Sequence, residues 1–201
     1  MKIIYRLILC LSFSIVFASC EDNRPDSEVV EGLRGLYPGG AKYGRYEPKV
    51  ISREEQIVPE LIEASKDEDS QMRESVARCL GLIGTEDAVA RLIEMADDDE
   101  VEDTVWIALG YSGSPKAIPK LKEELADHLD SRSRGRILIS LAECGETAHL
   151  DDLLAVMKTS KLQGHVYHAN QAFEKMAGRR FGKDTAKIEA WIKSRKAAKS
   201  P

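Results

Sequence analysis

The chain has 201 residues, a net charge of −5, and 43% hydrophobic and 31% charged residues. Those proportions are those of one folded domain with a real core, and they exclude a wholly disordered or fibrous chain. The slightly acidic balance supplies no global field that would recruit a polyanion, so no nucleic acid partner is expected. At the N-terminus, Lys2 and Arg6 precede an apolar run from Leu7 to Ala18. That run is too short to span a bilayer comfortably and has the proportions of a signal peptide.

The small pair Ala18-Ser19 and then Cys20 follow at the end of the run, before a polar stretch from Glu21 to Asp26. This arrangement resembles a bacterial lipoprotein lipobox, with Phe17 standing where that family usually has Leu. The resemblance implies a signal peptide over 1–19, cleavage before Cys20, lipidation of Cys20, and a membrane partnership through the lipid anchor. Ordinary secretion with cleavage near Ala18, or an uncleaved anchor helix, are the alternatives. Each places the folded part outside the cytoplasm, and the first implies the bacterial cell envelope. Residues 20–51 contain Pro25, Pro38-Gly39-Gly40 and Pro48 with short apolar pieces between them. They read as a tether or linker with one short helix.

From Ser52 the pattern becomes helical, with Ser52 and Glu55 at capping-box spacing. Leu80-Gly81-Leu82-Ile83-Gly84 returns as Leu109-Gly110-Tyr111-Ser112-Gly113, and more loosely as Leu141-Ala142-Glu143-Cys144-Gly145. A fixed period of roughly 30 residues marks a solenoid of helix pairs. Aligned on Leu80, Leu109, Leu141 and Phe173, the positions eight, four and one upstream hold small or apolar residues, which is one face of a helix. The small residues one upstream (Cys79, Ala108, Ser140, Ala172) would let neighbouring helices approach closely. Pro59 and Pro119 occupy equivalent slots and predict first helical turns, where a proline loses no intrahelical bond. Cys79 and Cys144 lie two repeats apart, farther than a disulfide reaches, and read as buried thiols.

The Val-Pro-x-Leu run, the acidic turn and the second helix closing in Leu-Gly-x-x-Gly resemble the bacterial HEAT-like repeats also found in phycobilin lyases. The resemblance covers residue 52 to about 193. Its last part, Gly178-Arg179-Arg180-Phe181-Gly182-Lys183-Asp184 followed by Trp191, resembles the terminal unit of many such proteins, in which Phe181 and Trp191 would cap the core. The expected fold is an all-α, right-handed α-solenoid of about four HEAT-like pairs over 52–201. The units are about 52–84, 85–113, 114–145 and 146–182, with a capping helix over 183–197. Ala142 and Ser133 depart from the pattern and make the third unit the least regular. The basic tail Lys193 to Lys199 reads as frayed.

The chain offers little for catalysis. His165 and His168 share a helix face but lack a third ligand of compelling spacing. The acidic turns Asp67-Glu68-Asp69 and Asp97-Asp98-Asp99-Glu100 lack the Gly and the bidentate Glu of an EF-hand loop, and read as caps on helix starts. There is no phosphate loop and no Gly-x-Ser-x-Gly elbow. No cofactor and no enzymatic activity are expected. The remaining candidate is a surface. In HEAT-like solenoids the second helices line the concave side, and there Arg73, Asp103, Trp106, Arg134, Leu138, Tyr167 and Asn170 form columns with the aromatic and Arg composition of binding hot spots. The alternative for Trp106 is packing between repeats. The expected function is a non-catalytic, envelope-anchored interaction or scaffolding module with an unknown protein partner. A lyase-like enzyme or accessory subunit is the alternative.

Overall fold

A computed structural model describes residues 23–36, 43–128 and 130–199. The expected signal peptide, Cys20, Gly39, Gly40 and Pro201 lie outside the described residues. Among the described residues the regular structure is entirely helical. In chain order the α-helices are α1 Asp26–Glu31, α2 Tyr43–Ile51, α3 Val58–Ala64, α4 Ser70–Ile83, α5 Glu86–Met95, α6 Glu102–Ser112, α7 Ile118–Asp127, α8 Ser131–Glu143, α9 Leu150–Thr159, α10 Gln163–Ala177 and α11 Thr185–Lys199.

The four pairs α3/α4, α5/α6, α7/α8 and α9/α10 stack in order, as the repeat requires. Second helices pack on one another along the row α4, α6, α8, α10, and α11 closes the far end against α9. Helix starts follow local chemistry. Asp69, Thr85 and Asp130 each accept a backbone N–H at the start of α4, α5 and α8, satisfying amides that the helix cannot. Pro59 and Pro119 sit in the first turns of α3 and α7, as their missing amides allow. Gly84, Gly113 and Gly178 end α4, α6 and α10 with φ of 67°, 61° and 64°, a left-handed conformation that glycine adopts without strain.

Ser52 does not begin a helix. It follows α2, its hydroxyl donates to the Lys49 carbonyl, and a 3₁₀ turn from Glu54 to Ile57 leads into α3. The expected tether is also largely folded. α1 packs on α3 and α2 on α4, so α1 and α2 extend both rows of the solenoid by one further pair. Val29, Val30, Leu33 and Val50 are buried in the common core. Arg53 pairs with Asp26, and Arg34 reaches Asp67 at 2.7 Å, fastening α1 to the first repeat. Of the residues that suggested a linker, Pro25 stands just before α1 and Pro48 lies inside α2. The apolar pieces between them carry too little periodicity for sequence reading to assign them a partner.

The third unit is formed like the others, with Ala142 buried and Ser133 in the first turn of α8, where its amide donates to Asp130. At the C-terminal end Phe181 and Trp191 bury their rings in the core, with Trp191 edge-on to Phe173 at 6.1 Å. The Arg179–Asp184 turn is held by two side chains of α10. Glu174 accepts the amides of Phe181 and Gly182, and Asn170 accepts that of Lys183. The basic tail is part of α11, where Arg195 lies over the Trp191 ring and Lys196 pairs with Asp151. Cys79 and Cys144 are buried outside any disulfide, and burial pushes the Cys144 thiol up to about 12.

Candidate functional site: the face of the second helices

Second helices touch through residues without bulk. A Cβ on Gly81 would lie 2.5 Å from the Ala108 carbonyl oxygen, and one on Gly110 would lie 2.9 Å from Ser140 Cα. Here the small residues do what their spacing suggested, drawing α4, α6 and α8 into close contact. Helix axes usually lie 8–10 Å apart, and close approach of this kind belongs to the short end of that range.

The face of this row is a trench. One part, about 290 Å³, lies between α4, α6 and α8 and is lined by charged groups, among them Glu74, Arg78, Asp103 and Arg136. The second part, about 380 Å³, lies between α6, α8 and α10. Ile107, Tyr111 and Arg136 line both, so the two adjoin. Tyr111 stands out from the surface with the Arg78 guanidinium 5.5 Å from its ring centre, a cation–π arrangement. Arg136 is ion-paired with Asp103 across α6 and α8, and Glu143 with Lys175 across α8 and α10 at 2.7 Å.

The sequence-predicted residues fall mostly elsewhere. Asp103 lies in the trench. Trp106 is wholly buried with its ring 4.6 Å from His128, and Leu138 is in the core, so neither presents a surface to a partner. Arg73 is mostly buried and clamps the acidic turns. It bonds Asp98 at 2.8 Å and Glu100 at 2.6 Å, and the carbonyls of Asp67 and Glu68. Arg134 does the equivalent one pair later but one, donating to the carbonyl of Leu125 at the end of α7. Asn170 is turned into the C-terminal cap, and Tyr167 is exposed on α10 with its hydroxyl accepting from Gln171.

The physical reason is angular. One residue along a helix is a rotation of about 100°, and the columns seven and three before the anchor face the first helices and the loops between pairs. The trench uses the columns five and two before it and two after it: Thr104, Ile107 and Tyr111 on α6, and Arg136, Ile139 and Glu143 on α8. The signal available in the sequence was the pair Leu82 and Tyr111, large apolar residues inside the Leu-Gly-x-x-Gly turn that have no place in the core and are exposed.

His165 and His168 both border the trench. His165 is buried over Gly135, and its Nδ1 finds no hydrogen-bond partner among the described residues. Burial, with Arg136 and Arg132 nearby, lowers its pKa below the ordinary imidazole value. Glu102, Glu124 and His128 are the one group among the described residues with three metal-ligating atoms close together. Lys120 already sits 2.9 Å from Glu124, and His128 lies 3.3 Å from the same carboxylate, so the cluster is internally compensated.

A family model described as HEAT repeats matches residues 50–106, which spans α3 to α5 and the first part of α6. No curated protein matches the chain. Among the described residues no helix is long and apolar enough to cross a membrane. The stacked pairs make this an α-helical solenoid, and over residues 50–106 it is similar to HEAT repeats.

Proposed function

We propose that this HEAT-repeat solenoid is a bacterial envelope lipoprotein, anchored through Cys20, that docks a protein partner on the trench of its second helices and performs no catalysis. The observation that carries the docking reading is the trench itself. Exposed Tyr111 and half-buried Ile107 and Ile139 lie among Arg78, Arg136 and Asp103, and Tyr and Arg ringed by polar groups are the residues that dominate binding energy at interfaces. HEAT repeats commonly serve as such surfaces, which agrees with this reading. The anchoring reading rests on the basic, apolar and small-residue succession before Cys20.

One set of preparations tests both. Detergent-solubilised envelope is used to purify the full-length protein with whatever accompanies it, identified by mass spectrometry. The Ile107→Asp/Tyr111→Asp variant is run alongside, with circular dichroism confirming its helix content. A partner held by the normal chain and lost from the folded variant is expected. Retention by that variant removes the trench from the interface. Cys20→Ser is expected to move the protein from the membrane to the soluble fraction, and its unchanged membrane retention would exclude a lipid anchor at this position.

A further inference from the structure

The α6–α8–α10 part of the trench has the makings of a small-ligand site in its own right. Its walls are apolar, with Ile107 and Tyr111 from α6, Ile139 from α8 and Leu162 at the start of α10. Its 380 Å³ falls within the roughly 300–1,000 Å³ of pockets that enclose organic ligands. Against this apolar lining, Arg132 and Arg136 on α8 and His165 and His168 on α10 supply the polar groups.

One of those groups has a nitrogen without a hydrogen-bond partner, and another has no ion pair among the described residues. The His165 side chain belongs to a residue only 7% exposed, and its Nδ1 is buried with no hydrogen-bond partner among the described residues. That nitrogen lies over Gly135, and the ring borders the cavity with its other atoms. The charges do not cancel either. Arg136 is balanced by Asp103 and Glu143 by Lys175, whereas the Arg132 side chain makes no ion pair among the described residues.

We propose that this cavity binds a small amphipathic monoanion, an apolar body topped by a single carboxylate-like head. The body lies against Ile107, Tyr111, Ile139 and Leu162, and the head meets the Arg132 guanidinium beside the His165 ring. This site stands whether or not a protein partner docks on the trench, because it needs only the cavity and its uncompensated positive charge. The groups facing His165 are Arg132 and Arg136 from α8, His168 from its own helix and Asp103 from α6. Three of the four are cationic or become so, and an anionic head placed among them stabilises the protonated ring.

The test titrates the full-length protein with sodium octanoate and, separately, with 1-octanol, following the His165 ring protons by NMR. A saturable response to octanoate is expected, with octanol at least tenfold weaker. Saturating octanoate is expected to move the His165 titration to higher pH. Arg132→Gln, an exposed position whose replacement leaves the fold intact, is expected to weaken octanoate about tenfold, the scale of one charge-assisted hydrogen bond, and to leave octanol unchanged. Octanol binding as tightly as octanoate would reduce the site to an apolar hollow. An Arg132→Gln variant with undiminished octanoate binding, or a His165 ring that does not respond, would overturn the proposal.

Discussion

At the scale of single residues, the closest tolerances lie where second helices cross. A methyl on Gly81 would press on the backbone of Ala108, which cannot rotate away as a side chain tip can. Gly81→Ala is therefore expected to destabilise the fold by about 1–3 kcal/mol despite the better helix propensity of alanine, read as a lower urea midpoint. His165 gives a different kind of sensitivity. Its imidazole is held below the ordinary value by burial first and by neighbouring cations second. The unfolded chain then binds the proton more readily, so stability is whole above about pH 6.5 and falls as pH drops through that value toward the lower folded pKa. His165→Gln is expected to flatten the urea midpoint over pH 5.5–7, and a slope identical to that of the normal chain would show that this ring does not control it. The residue-scale misreading in the sequence was that of Trp106, Arg73 and Arg134. Composition marks such side chains as interface material, but composition says nothing about the angle at which a helix presents them.

Helices as units behave differently from the residues that compose them. α1 and α2 were invisible as repeat members because each is short, and a single turn or two of amphipathic pattern is hard to tell from a loop. Their role follows from what they cover. Without them, α3 and α4 at the head of the first repeat lose the helices that cover them. A chain starting at residue 52 is expected to unfold at a lower temperature and to bind the hydrophobic dye ANS, as solenoids stripped of an end unit do. A truncated chain as stable as the full one would return the segment to the status of a tether. At the other end, the Phe181 and Trp191 cap was readable because its residues carry a recognisable succession. The means of holding it was not, since Glu174 and Asn170 reach forward seven to thirteen residues to bond amides in the turn. Such long-range side-chain bonds have no local signature.

For the whole molecule, the architecture was the most legible level. A period of helix pairs announces itself through glycines that end helices and prolines that begin them, and both fell where their backbone requirements placed them. The trench was less legible, because it arises from several units at once and is defined by which residues the core rejects. The two buried thiols have a consequence of their own. Cys79 lies in the first repeat and Cys144 in the third, and Cys144 donates to the Leu109 carbonyl in the unit between them. A thiol walled off in the core reacts only when its surroundings open. Because such stacks fray from their ends, the two sulfurs act as separate clocks, one timing the breathing of the entrance to the stack and the other that of its middle.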